Sequence, residues 1–393
     1  MRASRRQPFL VMTLLTALAS GSLATAAPAS SASACIGGST GASAQLYGVA
    51  AISMTNAWAV GHTGNGTAHT LIEQWNGISW CKVPSPSPGG TTQPSGLNSV
   101  AATSGTDAWA VGSFFTATGG YQTLILHWSG TSWRRVASPD PSGARKFNIL
   151  TGVAAVSPTS AWAVGHYADS SGGQATMILH WNGIKWTQVT SPNPTGYNDL
   201  SGVAAKVGIT WAVGSGGPPV ETLAVRRLGA TWQQVPSPNP SAGSGPNSLS
   251  GVAVTSGSNA WAVGYYANGS TDQGLILHWN GSAWTQVTSP QPGPGLTFNI
   301  LSKVAATSAT NAWAVGYYGG RYFRTFIVRW HGSSWRQVTS PDPGGPFGQS
   351  IIEDVAATSG SDAWAVGFYG IGSHGGTMIL RWNGTAWTQV TSP

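Results

Sequence analysis

The 393-residue sequence predicts an all-β protein, a seven-bladed β-propeller whose blades are four-stranded antiparallel sheets. One observation is a repeat of roughly 50 residues that occurs seven times between residues 46 and 393. The other is that each repeat holds four short segments of strand composition and no stretch with sustained helical periodicity. Four strands at this period are typical of a propeller blade, and seven such blades close a ring.

Each repeat reads approximately L-x-G-V-A-A-T-S, a turn, A-W-A-V-G, a variable stretch, L-I-L-H-W-N-G-x-x-W and T-Q-V-T-S-P-x-P, and the repeats open near residues 46, 97, 150, 200, 249, 301 and 352. Three sets of tryptophans account for all 20 in the chain. The first set is Trp58, Trp109, Trp162, Trp211, Trp261, Trp313 and Trp364; the middle set is Trp75, Trp128, Trp181, Trp279, Trp330 and Trp382; the last set is Trp80, Trp133, Trp186, Trp232, Trp284, Trp335 and Trp387. We predict that the first and last sets pack one blade against the next, because a large ring recurs at the same place in each sheet.

Tight turns separate the third and fourth predicted strands. Asn-Gly pairs stand there in four repeats, and a glycine holds the same place in the others. A two-residue hairpin turn needs positive φ, which asparagine and glycine tolerate. The middle and last tryptophan positions are always five residues apart, so we expect the same turn in every blade.

The A-W-A-V-G pattern followed by H-W-N-G-x-x-W resembles the secreted propeller repeats common in actinobacteria and related soil bacteria, akin to kelch and Asp-box propellers. The resemblance covers residues 46 to 393. The W-N-G-x-x-W hairpin is similar to a degenerate Asp box that lacks its usual aspartate. This resemblance implies the propeller fold and says little about function, since one fold hosts many functions.

Length varies in only two of the four connections of each repeat. The first and middle tryptophan positions are 16 to 19 residues apart, and 14 to 17 residues separate the last tryptophan from the next repeat. If the strands run outward from the ring centre in chain order, both variable connections lie on one face of the disc. Binding residues usually lie on variable loops held by a rigid scaffold, so this is the predicted binding face.

Aromatic residues open the first variable stretch of five repeats, and we predict that they form a collar around a ligand. The pairs are Phe114-Phe115, His166-Tyr167, Tyr265-Tyr266, Tyr317-Tyr318 and Phe368-Tyr369. The residues assigned to ligand binding are Phe115, Tyr167, Tyr266, Tyr318 and Tyr369. The alternative is that one residue of each pair packs inside the second strand.

The fourth repeat departs most from the pattern, because Arg226-Arg227 replaces His-Trp and Glu221 lies nearby. A guanidinium can recognise an acid or stack on an aromatic ring, so Arg227 and Glu221 join the predicted ligand-binding set. The alternative is a decayed repeat without a ligand.

Residues 1–26 read as a secretory signal peptide, with three arginines, the apolar run 9–19 and the small-residue site 24–26. Residues 27–45 form a tail rich in alanine, serine and glycine, and residues 46–393 form the predicted propeller. We expect a secreted, extracellular protein, with association to the cell wall left open. No later stretch supplies about 18 consecutive apolar residues, so no membrane span is expected.

The chain has two cysteines, Cys35 and Cys81. An exported protein with an even cysteine count favours a disulfide, which would tie the tail to the first repeat. The alternative is that Cys35 carries a lipid anchor.

Charged residues make up only 7% of the chain. Three of the 18 basic residues lie in the leader, which leaves 15 against 11 acidic residues, or about +4. This charge is too dilute for a nucleic-acid surface, so nucleic acid is not an expected partner. We expect a monomer, and no cofactor is expected.

No catalytic constellation and no metal site is recognisable in the sequence. Most acidic residues occupy repeat positions, and the irregular ones include Glu73, Glu221, Glu353 and Asp354. His127, His180 and His278 recur at one repeat position, which places them in different blades. We therefore lean against an enzyme.

The function that these patterns favour is an extracellular binding module that recognises a glycan or cell-wall polymer through the variable face. Stacked aromatic rings and amides suit sugars, and several blades provide avidity. The alternatives are a secreted polysaccharide hydrolase or lyase and a scaffold that binds a protein partner. The last repeat ends with its own fourth strand, so we expect the ring to close by packing between blades without strand exchange.

Overall fold

Each blade is one sheet of four consecutive strands. The structure, a computed structural model, describes residues 44–64, 67–194, 196–241, 245–293, 296–371 and 374–393. These residues form seven antiparallel sheets, and in each one the strand order follows the chain order. The predicted seven-bladed propeller is confirmed. The leader and Cys35 lie outside the described residues, so the signal peptide and the Cys35–Cys81 disulfide stay predictions.

The strands have the following bounds. Blades 1 to 3 comprise β1 Gln45–Ser53, β2 Asn56–Thr63, β3 His69–Trp75, β4 Trp80–Lys82, β5 Ser95–Ser104, β6 Asp107–Phe115, β7 Tyr121–Trp128, β8 Trp133–Val136, β9 Asn148–Ser157, β10 Ser160–Ala168, β11 Gln174–Trp181 and β12 Trp186–Val189. Blades 4 and 5 comprise β13 Asn198–Lys206, β14 Ile209–Gly216, β15 Glu221–Leu228, β16 Thr231–Gln234, β17 Asn247–Ser256, β18 Asn259–Asn268, β19 Thr271–Trp279 and β20 Trp284–Val287. Blades 6 and 7 comprise β21 Phe298–Ser308, β22 Asn311–Gly319, β23 Phe323–Trp330, β24 Trp335–Gln337, β25 Gln349–Ala357, β26 Ala363–Ile371, β27 His374–Trp382 and β28 Trp387–Val390. A short 3-10 helix, Gly345–Phe347, precedes β25. No helix in the described ranges is long and apolar enough to cross a membrane.

The first strand of each blade lies innermost. Each contacts the first strand of the next blade, and β1 contacts β25 to complete the circle. The two variable connections of a repeat lie on the same face, because their backbones bond to each other: Ser95 N donates to Ala68 O at 2.8 Å, and Asn247 N donates to Val220 O at 2.9 Å. We call this face the loop face.

The tryptophans join neighbouring blades, as predicted for the first and last sets. Trp58 of blade 1 packs against Trp128 and Trp133 of blade 2, with ring centroids 5.0 and 5.1 Å apart, and Trp58 and Trp133 meet edge to face at 85°. The same arrangement recurs around the ring, and Trp58 is fully buried. Edge-to-face contact between buried indoles is a favoured geometry that adds to the burial of apolar area.

Blades 1 and 7 close the ring through the same contacts. Trp364 packs against Trp75 and Trp80 at 5.0 and 5.1 Å. A second link is polar, because Ser392 Oγ donates to the carboxylate of Glu73, 2.8 Å from Oε1. Burial raises the pKa of Glu73 to about 7. Each sheet in the described residues draws its strands from one continuous segment, so closure rests on the indole packing and this hydrogen bond, without strand exchange.

The glycine of A-W-A-V-G is required by a close approach of two strands. The first strand of each blade shifts register opposite it, as between Leu249 and Gly251 in β17. A Cβ on Gly264 would lie 2.0 Å from the carbonyl oxygen of Ser248. The equivalent glycines Gly61, Gly112, Gly165, Gly214, Gly316 and Gly367 show the same approach.

We expect Gly264→Ala to lower the free energy of unfolding by at least about 1–3 kcal/mol, because the clash is with backbone that cannot rotate away. Urea denaturation followed by circular dichroism measures the change. Gly257→Ala is the matched control, since its added Cβ would meet only Ile209 Cδ1 at 3.8 Å. An equal loss in both variants would contradict the steric explanation.

Candidate functional site

The central channel of the ring opens on the loop face as a cavity of about 410 Å³. Residues of six blades line it, so it lies on the axis of the ring; they include Tyr47, Asn98, Ser201, Ser250, Tyr265, Asp272, Lys303, Tyr317 and Glu353. We call this cavity the axial cup. Its position on the axis means that a ligand bound there would contact several blades at once.

Two charged residues stand at the floor of the axial cup: Lys303, which lines it, and Asp354 at the equivalent position of the next blade. At the glycine position of L-x-G-V, the first strands approach most closely, and a Cβ on Gly251 would lie 2.9 Å from Lys303 Cα. Blades 6 and 7 carry Lys303 and Asp354 at this position instead of glycine. Their side chains therefore project into the narrowest part of the channel.

The contacts of these two residues involve five blades: Lys303 of blade 6 bonds to blades 4 and 5, and Asp354 of blade 7 bonds to blade 1. Lys303 Nζ donates to the carbonyl oxygens of Ser201 at 2.7 Å and Ser250 at 2.9 Å. Asp354 Oδ2 accepts from Val49 N at 2.9 Å. A mostly buried ammonium that bonds two carbonyls and a mostly buried carboxylate that accepts a backbone N–H are both compensated for lost hydration.

Glu353 lies beside this floor and lines the cup. Burial raises its pKa to about 7, against the positive charge of Lys303, which lowers it. Burial also raises the pKa of Asp354 to about 6, while Lys303 and the bonded backbone N–H groups lower it. Near neutral pH, Glu353 is therefore present both as a carboxylic acid that can donate and as a carboxylate that can accept.

Three tyrosines supply the aromatic wall of the cup. Tyr47 stacks on His62, with ring centroids 5.4 Å apart, and burial raises its pKa to about 12. Burial also raises the pKa of Tyr265 and of Tyr317. The three phenols therefore keep their protons at neutral pH. The Tyr47 hydroxyl already donates to Gln45 Oε1, so those of Tyr265 and Tyr317 can donate to a ligand. With Glu353, they present ring faces and polar groups to one space.

The predicted aromatic collar divides between two environments. Tyr167, Tyr266, Tyr318 and Tyr369 are half-buried and pack against the core between blades. The first member of a pair faces the axis instead, as Tyr265 and Tyr317 do. The structure thus follows the alternative in which one residue of each pair packs inside, and ligand binding by the four packed tyrosines stays a prediction.

Phe115 is out of register with the other predicted collar residues. Phe114 occupies the position of Tyr167 and Tyr266, two residues after the repeat glycine, and is buried in the core. Phe115 is one residue further along β6, where its ring meets that of Tyr121 edge to face at 5.0 Å. Neither of these two phenylalanines lines the axial cup.

The structure does not bring Arg227 and Glu221 together. Glu221 opens β15 at the loop face and is exposed, whereas Arg227 lies near the opposite end of that strand. The guanidinium of Arg227 lies over the ring of Trp162, 5.1 Å from its centroid. Arg227 therefore takes the place that a middle tryptophan holds in the other blades, and this contact favours a structural role.

The histidines of the repeat stack on tryptophans of their own blades. The rings of His127, His180 and His278 lie 4.1, 4.1 and 4.3 Å from those of Trp109, Trp162 and Trp261, respectively. Within the part of the chain that the structure describes, no group of three or more His, Cys, Asp or Glu side chains is arranged to hold a metal ion. Cys81, the described partner in the predicted disulfide, is buried on β4.

Sequence reasoning singled out Glu353 and Asp354 as acids that break the repeat but did not assign them to the site. It missed Lys303 and Tyr47. The signal for Lys303 and Asp354 was present, because they replace a small residue at one repeat position in adjacent repeats. The signal for Tyr47 was weaker, since the x of L-x-G-V is occupied by five different residue types in the seven repeats.

No protein-family model and no curated protein matches the chain. Among solved structures it is similar to YCF48 bound to a D1 peptide, at 15% identity and a TM-score of 0.51, over 87% of this chain and 94% of that one. An ulvan lyase, a polysaccharide lyase bound to -[GlcA(1-4)Rha3S]-, has 11% identity and a TM-score of 0.48 over 73% and 81% of the two chains. The six-bladed Aleuria aurantia lectin, which recognises fucose, has 12% identity and a TM-score of 0.44 over 74% and 93%. Propellers similar to this chain thus include a peptide-bound protein, a lyase and a lectin, and at these identities the likeness shows the fold alone.

Proposed function

We propose that the protein is a secreted binding module that recognises a neutral glycan or cell-wall polymer at the axial cup. The observation that carries the proposal is the convergence of three protonated phenols and the Glu353 carboxyl group in one cavity on the loop face. Aromatic ring faces pack on the apolar faces of sugar rings, and a few placed polar groups fix the orientation of a ligand. The secreted location rests on the leader sequence.

The polar groups of the cup match the hydroxyl groups of a sugar. Each sugar hydroxyl can donate and accept, so it pairs with a phenol, with either form of Glu353, or with the amide of Asn98. Because Lys303 and Asp354 fill the narrowest part of the channel, a ligand would enter from the loop face and bind with its end in the cup.

A second candidate follows from the acidic residues around the cup. Asp272 and Glu353 line it, while the ammonium of Lys303 is already bonded to two carbonyl oxygens. A lysine or arginine side chain of a protein partner would find carboxylates there. A lysine-containing peptide is therefore the comparison ligand in the experiment below.

We expect Tyr317→Ser to weaken glycan binding by about tenfold or more, because the variant removes one wall of the cup. Serine already occupies this position in blades 2 and 4 as Ser113 and Ser215, so the variant should fold. An array of glycans and cell-wall polysaccharides identifies a ligand for the purified protein, and calorimetry then compares the variants.

The matched control is Tyr318→Phe, which keeps the packed ring of the adjacent residue. It should bind as the wild type does. If only Tyr318→Phe weakens binding, the ligand is bound by the packed tyrosines and not at the axial cup. Binding of the peptide and of no glycan would favour the protein partner, and release of product from a bound polysaccharide would make the protein an enzyme.

A further inference from the structure

A second cavity of about 400 Å³ lies on the loop face between blades 5 and 6. Its lining includes Thr271, Asp272, Gln273, Gln291 and Asn299. Asp272 also lines the axial cup, so the two cavities share a wall. We call this second cavity the side groove.

Next to the side groove, blade 5 lacks a threonine that other blades carry. In five other blades, a third-strand threonine bonds a serine and a proline carbonyl of the following loop; these residues are Thr70, Thr123, Thr176, Thr222 and Thr325. Blade 5 carries Gly274 at this position. The space that the missing side chain would occupy adjoins Ser289 Oγ and Asn299 Oδ1, at 2.9 and 3.4 Å from a Cβ built on Gly274.

Asn299 presents an unused acceptor at this place. In blades 3 and 5, the equivalent Asn148 and Asn247 accept a loop N–H through Oδ1, from Ser142 at 3.0 Å and Ser241 at 2.9 Å. Asn299 is only 2% exposed, and its Oδ1 has no hydrogen-bond partner among the described residues. A buried acceptor without a partner carries a desolvation cost, and a hydrogen bond from a donor group of a ligand would remove that cost.

The amide of Gln291 fixes the orientation of this acceptor. Asn299 Nδ2 donates to Gln291 Oε1 at 2.8 Å, which leaves Oδ1 as the free atom of the Asn299 amide. Gln291 stands where Asn193 and Asn239 accept the N–H of the third-strand threonine in other blades. The loss of the threonine and the exchange of the loop residue therefore occur together in blade 5.

We propose that the side groove is a second sugar subsite, which binds a hydroxyl or amide N–H group of the residue next to the one in the axial cup. The inference rests on the proposed function. Because Asp272 borders both cavities, a glycan chain can run from the cup outward over this residue. The ligand is thus an oligosaccharide of at least two residues, of which the one in the side groove is held by blades 5 and 6.

Calorimetry with two probe series tests the subsite: β-1,4-linked N-acetylglucosamine oligomers and β-1,4-linked glucose oligomers, each from one to six residues long. For the wild type, we expect affinity to rise about tenfold between one residue and two or three residues. Gly274→Thr restores the side chain of the other blades and places it against Asn299 Oδ1, which its hydroxyl can then occupy in place of a ligand. In this variant, affinity should no longer rise with the length of the oligomer, whereas the affinity for a single sugar residue should match that of the wild type.

Thr222→Gly is the matched control, because it opens the same space in blade 4, beside Asn247, whose Oδ1 already has a donor. It should bind both series as the wild type does. If affinity rises with oligomer length in Gly274→Thr as much as in the wild type, the side groove is not a sugar subsite, and the proposal for the axial cup still stands. Absence of binding to every oligomer, in wild type and variants, would overturn the proposed function together with this inference.

Discussion

Trp364→Ala is expected to lower the free energy of unfolding by about 3–5 kcal/mol, the range for removing a large buried aromatic side chain. Trp364 is fully buried and joins blade 7 to Trp75 and Trp80 of blade 1. Its removal leaves a cavity at the junction that closes the ring. Urea denaturation followed by circular dichroism measures the loss.

Trp109→Ala provides the comparison within the ring. Trp109 meets Trp181 and Trp186 at 4.9 and 5.1 Å, with angles of 54° and 89°, and Trp364 meets its partners at 54° and 89° as well. If face packing alone closes the ring, the two variants lose the same stability to within the error of the measurement. A much smaller loss for Trp364→Ala would show that other contacts between blades 1 and 7, such as the Ser392–Glu73 hydrogen bond, carry much of the closure.

Lys303→Met is expected to cost about 3–5 kcal/mol of stability at pH 8, because it leaves buried carboxylates without their positive partner. The loss should shrink at low pH. The pKa values of Glu353 and Asp354 are raised by burial to about 7 and 6, from 4.5 and 3.8, so their folded forms favour the proton. Such groups stabilise the fold at low pH, and this contribution is lost as pH rises through the folded pKa.

The lysine now lowers both pKa values, so its removal should raise them further and steepen the decline of stability with pH. Urea denaturation at pH 5 and pH 8 measures this change. Lys206→Met, at an exposed lysine, is the control and should change stability by less than about 0.5 kcal/mol at either pH.

A double variant separates the pair from its parts. Lys303→Gly with Asp354→Gly restores the residue that most repeats carry at this position, so neither charge is left buried alone. We expect it to lose less stability than Lys303→Gly does by itself. Additive losses would show that the two charges do not stabilise each other across the channel.

The architecture was predictable because the repeat encodes it several times. The tryptophan spacing, the invariant hairpin and the two variable connections each predict the same blade, and the structure confirms four strands per blade with the variable connections on one face. A fold can be predicted from sequence when independent local signals agree, as they do here.

The candidate site was only partly predictable. Tyr265 and Tyr266 are neighbours of the same type on β18, and sequence reasoning assigned the second to ligand binding. In a sheet with one face in solvent, side chains alternate between a polar and an apolar face, so the pattern of residue types would have shown which of the two tyrosines is buried. Here both faces of every blade pack against another blade, so period-two alternation does not distinguish a residue at the axis from one in the core.

By itself, the sequence determined the number of blades, their strands and the face on which the loops vary, because these depend on local turn chemistry and on aromatic packing repeated in each unit. Only the tertiary structure decided which residues share the axial cup. Tyr47, Lys303 and Glu353 are far apart in the chain and meet because the ring brings the first strand of each blade to one axis. A contact made by closing a ring depends on all the blades together, so no single repeat can reveal it.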